Sequence, residues 1–159
     1  MAGGFKALLE ENEKLRVALG DPLEKESGGI EQATEQQFEN GSMFFFKPTK
    51  QIYVLFSEGR GTWQVFEQQE VENLEEPESP PAKCSPPQQH GFALIWENFP
   101  KIQDQLDCPL APTPGLIEGA YQPFEGGRLL WSKPGLGRGP TIYALLKDGT
   151  FARYKDPNP

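Results

Sequence analysis

This 159-residue chain is poor in the side chains from which metal and catalytic sites are built, since it has one histidine and two cysteines. Cys84, Cys108 and His90 cannot supply the four ligands of a structural zinc site. His90 lies in a segment rich in proline and glutamine, with no sign of the third group that orients a catalytic imidazole. We therefore expect no metal, no cofactor and no histidine-based catalysis.

Long apolar runs are also missing. No run approaches the roughly 18 residues that span a bilayer, so no membrane span is expected. The first residues, MAGGFKALLEENEK, lack the cationic and apolar regions of a secretory signal peptide. The expected location is the cell surface or the extracellular space if the chain is part of a longer exported protein, and the cytoplasm if it is complete.

Positive charge is scarce, with 15 Lys and Arg against 23 Asp and Glu and a net charge of −8. An acidic chain repels phosphate backbones, so nucleic acid is not an expected partner. Much of the acid lies in FEQQEVENLEEPE, residues 66–78. Together with its prolines, this composition predicts a solvated linker over residues 68–90 that buries little.

The two cysteines leave two alternatives open. Cys84 and Cys108 either form a disulfide that links the central segment to the second half of the chain, or remain free thiols. A disulfide favours an extracellular setting, because cytosolic thiols are kept reduced.

What the chain does contain is a duplication. The stretch QQFENGSMFFFKP, residues 36–48, is written again as QPFEGGRLLWSKP, residues 122–134. Residues 4–23 align with residues 91–110 without a gap, and residues 51–66 match residues 141–154. The repeat predicts two homologous units, 1–67 and 91–159, joined by the linker 68–90.

Each unit begins with apolar residues at helical spacing and continues with short alternating runs, which predicts a helical segment followed by four strands. Pro100 predicts a break in the second helical segment. Asn40-Gly41 and Gly126-Gly127 predict hairpin turns. We therefore expect an α+β fold of two homologous repeats, each a helical segment plus a four-stranded antiparallel β-meander, with the units packed through their apolar faces.

One motif set resembles a known family. Leu19, Gly20 and Pro22 of the first unit, and FEGG followed by Trp131-Ser132 in the second, resemble the LGFP repeats of bacterial cell-surface and secreted proteins. The namesake phenylalanine is replaced by Asp21 and Cys108. The resemblance implies blade-like units that anchor to, or recognise, cell-envelope glycans.

Five side chains are candidates for binding. Trp63 and Trp131, with Arg60 and Arg128 nearby in sequence, are either stacking surfaces for sugar rings or ordinary core aromatics. Arg138 lies in the loop GLGRG, residues 135–139, and loops on rigid scaffolds commonly carry binding residues.

Two carboxylates, Glu39 and Glu125, recur at equivalent positions next to hairpin turns. Such a pair suits glycoside hydrolysis, but symmetric copies of an acid are better explained by structure. We expect these carboxylates to accept hydrogen bonds from neighbouring backbone N–H groups.

The leading hypothesis is a non-catalytic tandem-repeat binding module of the cell envelope or extracellular space that recognises a glycan or a surface partner. The alternative is a structural or assembly subunit that pairs with a protein, including itself, through exposed strand edges. A hydrolase is the third hypothesis and has the least support.

Overall fold

The computed structural model describes residues 3–57, 61–76, 84–110, 115–133 and 139–157. In chain order the elements are α1 (Gly3–Glu11), α2 (Glu13–Leu19), β1 (Ser27–Phe38), β2 (Gly41–Phe46), β3 (Gln51–Phe56), β4 (Thr62–Glu67), α3 (Gln68–Glu72), α4 (His90–Asn98), α5 (Pro100–Leu106), β5 (Ile117–Phe124), β6 (Gly127–Lys133), β7 (Thr141–Leu146) and β8 (Phe151–Lys155). The expected α+β class is confirmed. Two helices followed by four strands occur twice, with α3 between them.

The eight strands form one antiparallel sheet in the order β4-β3-β2-β1-β5-β6-β7-β8. Each half is a meander, and the halves join where β1 pairs with β5. The sheet curls into a nearly closed barrel, because the N–H of Trp63 donates to the carbonyl of Gly149 (3.1 Å) and that of Phe151 to Gly61 (2.9 Å). These bonds join the start of β4 to the start of β8.

The inner faces of the two meanders pack on each other. Alternate residues of the strands form a cluster that draws from both halves, including Phe44, Tyr53, Leu130 and Leu145. The expected contact through apolar faces is therefore present. Strand β2 lies between neighbours and is buried on both faces, which accounts for its unbroken run of phenylalanines.

The helices pack crosswise, which the sequence did not predict. Helices α1 and α2 contribute Phe5 and Leu19 to a cluster with Leu129 and Ile142 of β6 and β7. Helices α4 and α5 cover β2 and β3, where Trp96 shares a cluster with side chains of both strands. Each helix pair therefore covers the outer face of the opposite meander.

Both helix pairs are broken at the same place. The break predicted at Pro100 is confirmed, since α5 starts there. The matching break before Glu13 was not predicted. It occurs because the side chain of Asn12 accepts the N–H of Leu15 and caps α2.

The acidic segment is more ordered than its composition predicts. Helix α3 begins with a capping box formed by Glu67 and Glu70, and Val71 is buried in the cluster under α4.

Further along, residues 84–89, here called the strap, lead into α4. Cys84 is joined to Cys108 by a disulfide with a Cα–Cα distance of 6.0 Å, and Pro87 is buried.

Each helix pair ends against the hairpin turn of the other half. The N–H of Glu125 donates to the carbonyl of Asp21 (3.0 Å), and the Glu125 carboxylate accepts the N–H of Asp21 (2.8 Å). Glu39 makes the same two bonds to Cys108, at 3.0 Å and 3.3 Å. The prediction that both carboxylates satisfy backbone N–H groups is confirmed. We call this pair of contacts the crosswise clamp.

The clamp requires a close approach of two backbones at Gly126. Its N–H donates to the carbonyl of Leu19 (2.8 Å), and a Cβ at Gly126 would lie 2.0 Å from the carbonyl oxygen of Ala18. The hairpin turn itself is formed by Glu125 and Gly126, with Gly127 as the first residue of β6. This is one residue earlier than the Gly126-Gly127 turn predicted from sequence.

Replacing Gly126 tests the clamp. We expect Gly126→Ala to lower the free energy of unfolding by about 2–3 kcal/mol, because the added methyl group forces the turn away from α2. Chemical denaturation measures the change. Gly115→Ala is the matched control, since its Cβ would meet nothing within 4 Å. Equal losses in both variants would contradict the clamp.

Reduction of the disulfide tests the strap. The bond closes a loop with a sequence separation of 24 residues, so its loss should lower the free energy of unfolding by about 3 kcal/mol. Thermal unfolding with and without a reductant measures this change. The double variant Cys84→Ser, Cys108→Ser should melt at the lower temperature in both conditions, and a reductant-dependent shift in that variant would refute the assignment.

Candidate functional site

Two of the five predicted binding residues, Trp63 and Arg128, are brought together from opposite halves. The Arg128 guanidinium carbon lies 5.2 Å from the centroid of the Trp63 ring and 5.7 Å from that of Tyr53. Its Nη1 donates to the Tyr53 hydroxyl (3.2 Å), and Trp63 Nε1 donates to the carbonyl of Leu146 (2.9 Å). These contacts hold the first four strands against the last four.

The electrostatics of this cluster keep Tyr53 neutral. Burial raises the pKa of the Tyr53 hydroxyl, and the nearby Arg128 charge offsets part of that rise. The hydroxyl donates to Gln51 Oε1 (2.7 Å) while it accepts from Arg128. Both of its hydrogen-bonding roles are thus used inside the protein.

The other three predicted residues do not join this cluster. Trp131 is 5% exposed and packs among the side chains under α1 and α2. Its Nε1 donates to Asp156 Oδ2 (2.7 Å), so the ring lies away from the surfaces that a ligand can reach. Arg60 and Arg138 lie outside the described residues.

A buried carboxylate in the barrel was missed by sequence reasoning. Glu35 is 1% exposed and accepts hydrogen bonds from Ser132 Oγ (2.7 Å), Tyr143 OH (2.7 Å) and Gln37 Nε2 (2.9 Å). The available signal was a charged residue in the run that the sequence predicts as the strand before the first hairpin turn. Since Ser132 and Tyr143 are themselves buried, the network crosslinks β1 to β6 and β7 without offering a carboxylate to substrate.

Two further polar groups have structural explanations. Glu39, Asp107 and Cys108 each have a potential metal-ligand atom within 4.8 Å of the other two. However, the Cys108 sulfur belongs to the disulfide, and Glu39 takes part in the clamp. His90 begins α4 and faces solvent, with its Nδ1 3.9 Å from Glu76 Oε1.

A groove beside α1 and α2, here called the α1–α2 groove, has a volume of about 850 Å³. Its lining includes Phe5, Leu9, Val17, Asp21, Glu26 and Phe124. This volume falls within the range of ligand pockets. The groove lies on the outer face of the barrel, where helices α1 and α2 meet strand β5.

The groove combines an apolar floor with a charged rim of both signs. Phe5 and Phe124 are buried in its floor, whereas Val17 is 69% exposed. The lining carries three basic and three acidic side chains, namely Lys6, Glu10, Arg16, Asp21, Lys25 and Glu26. Desolvation raises the pKa of Glu26. A ligand for this surface would be largely apolar and carry little net charge.

On the other half, the side chains that align with two groove-lining residues are buried. In the gap-free alignment, Leu9 corresponds to Trp96, which is fully buried and donates from Nε1 to the carbonyl of Asp107 (3.0 Å). Arg16 corresponds to Gln103, which is buried and donates to the carbonyl of Trp96 (3.1 Å). A smaller side chain at Leu9 thus opens space that Trp96 occupies on the opposite side.

Comparisons with protein-family models, curated protein sequences and solved structures give no match. The site is therefore interpreted from its own geometry. Among the described residues, no helix has the length and apolar character needed to cross a membrane.

The Arg128 cluster makes a stability prediction. Arg128→Ala should lower the free energy of unfolding by about 1–2 kcal/mol, because it removes a partly buried cation from two aromatic rings and a hydrogen bond to Tyr53. Arg16→Ala is the control, since Arg16 pairs with Glu13 at 3.7 Å in an exposed position and should change stability by less than about 0.5 kcal/mol. Similar losses in denaturant titrations would show that the cluster adds nothing.

Proposed function

We propose that this chain is a non-catalytic binding module made of two homologous units, which recognises a partner at the cell envelope or outside the cell. The observation that carries the proposal is the α1–α2 groove, an open apolar surface on one half, where Leu9 stands at the position of the fully buried Trp96 of the other half. The α1–α2 groove would be the surface that contacts the partner.

The two-unit organisation has local support. Helix α1 ends at Glu11 and α4 at Asn98, which are aligned positions. The C-caps Gly20 and Asp107 adopt the same positive φ, 70° and 66°. The backbone of Asp107 has a conformation that favours glycine. This is expected if the two units have the same backbone conformation at the end of each helix pair, where Gly20 is the equivalent residue. The resemblance to LGFP repeats adds the cell-envelope setting to this proposal.

Two features support a non-catalytic, extracellular role. The barrel carboxylate of Glu35 is enclosed by its hydrogen-bond donors, and Glu39 and Glu125 serve the clamp. The Cys84–Cys108 disulfide is typical of oxidising compartments.

The groove is a better binding surface than the predicted tryptophans or the strand edges. Trp63 and Trp131 are engaged by Arg128 and Asp156. The edge strands β4 and β8 are bonded to each other through Trp63 and Phe151, so these edges are partly used within the chain. The assembly alternative therefore has less support than partner recognition through the groove.

Filling the groove tests the proposal. We expect Leu9→Trp to reduce partner binding by at least about tenfold, because the new ring occupies the space that Trp96 fills on the other side. Two probes are used, crude cell-wall polysaccharide and a library of extended peptides, and binding is measured by light scattering after size exclusion and by thermophoresis.

The control places the same side chain elsewhere. Ile30 is 75% exposed at an irregularity of β1, so Ile30→Trp should bind as the wild type does. The unfolding midpoint of Leu9→Trp should match or exceed that of the wild type, which separates a blocked groove from a damaged fold. Equal binding by Leu9→Trp and wild type would exclude the groove, and binding of neither probe by the wild type would overturn the proposed function.

A further inference from the structure

We infer that the α1–α2 groove takes an extended, proline-containing polypeptide segment, seated as the strap is seated on the opposite half. This inference deepens the proposed function and rests on it. It names the occupant by the chemistry that the protein itself places on the corresponding surface.

One end of the strap corresponds to one end of the groove. Cys84 is bonded to Cys108, and Cys108 corresponds to Asp21, which lines the groove. Cys108 and Asp21 occupy the same backbone position by three criteria. Each follows a residue at positive φ, each donates its N–H to the carboxylate of the opposite clamp, and each accepts the N–H of that same glutamate.

The other end of the strap also has a counterpart in the groove. The strap ends at Gln89, whose side chain accepts the N–H of Phe92 at the start of α4 (2.6 Å). Phe92 corresponds to Phe5, which lines the groove near the start of α1. A segment following the strap's path on the first half would run from Asp21 to the start of α1, which is the direction in which the groove lies.

The strap packs as a ligand would. Cys84 contacts the apolar cluster that contains Phe92 and Trp96, and Pro87 is buried. The sequence CSPPQQ carries no charged side chain, and its two prolines favour an extended conformation with little entropy left to lose on binding.

The groove suits such a segment. Its apolar floor provides a surface for proline rings, and its rim balances acidic against basic side chains, so a segment without net charge pays no like-charge penalty. Beside the strap, the Trp96 ring occupies part of the space between helix and segment. In the groove, the smaller Leu9 side chain leaves the equivalent space open, so the groove admits a bulkier segment than the strap.

A thiol placed at the corresponding position tests the seating. The variant Asp21→Cys is mixed with the peptide KCSPPQQ, residues 83–89, supplied as its symmetric disulfide. Attack of the introduced thiolate on that disulfide forms one protein–peptide disulfide and releases one peptide thiol. If the peptide seats in the groove, its effective concentration should raise the yield at least about tenfold over an unguided site. Mass spectrometry of the intact protein and of its digest measures the yield and the linkage.

Three controls define the result. Glu72→Cys, at an exposed position at the end of α3, reports the reactivity of an unguided thiol. A peptide with both prolines replaced by glycine tests the extended conformation. Lys25→Cys, a second groove-lining position, replaces Asp21→Cys if that variant rearranges the native disulfide or fails to fold.

A preference for the groove thiol and for the proline peptide, lost when Leu9→Trp is added, supports the inference. No preference, while the wild type still binds polysaccharide in a manner that Leu9→Trp abolishes, overturns the peptide and keeps the groove as the binding surface. No preference together with no binding sensitive to Leu9→Trp overturns both the inference and the proposed function.

Discussion

The structure depends on the backbone contact between the end of each helix pair and the hairpin turn of the opposite half. Glu39 and Glu125 each use a carboxylate and an N–H to hold the residue after the opposite helix stop. Net contributions near 1 kcal/mol per hydrogen bond are typical, but these bonds also set where the helices lie. Leu19 and Leu106 are fully buried beside these contacts, so each helix pair is fixed over the opposite meander. The two halves cannot separate without unpacking the apolar clusters that contain these two leucines.

Positions that align between the two halves carry different side-chain contacts. Arg128 of the second half stacks on Tyr53 and Trp63 of the first, whereas the position of the first half that aligns with Arg128 is Ser42. Glu35 bonds Ser132 where the aligned pair is Phe46 and Tyr121, whose rings lie 5.6 Å apart. Aligned positions of the two halves thus make different side-chain contacts. The strap and Trp96 close one outer surface, and Leu9 leaves its counterpart open.

Local features were predictable from sequence because they depend on neighbouring residues. The first hairpin and the break at Pro100 follow from turn and proline chemistry, although the first turn is formed by Glu39 and Asn40, one residue before the predicted Asn40-Gly41. The burial of Phe44 and Phe46 follows from the apolar run of β2. Glu39 and Glu125 were recognised as structural from their repetition. The groove was not predictable, because it arises where Leu9 stands in place of Trp96, and that difference matters only when both lie under the same fold.

The sequence by itself determined the eight strands and their order, the faces that are apolar and the hairpin turns to within one residue. The tertiary structure decided which apolar faces meet. Apolar periodicity marks a helix face for burial but does not distinguish between two meanders with similar outer faces, so α1 and α2 could not be assigned to β5–β7 from the pattern alone. That assignment follows from the clamp contacts and from the pairing of β1 with β5, which bring residues about a hundred positions apart together. It places the open groove on one side of the barrel and the strap on the other.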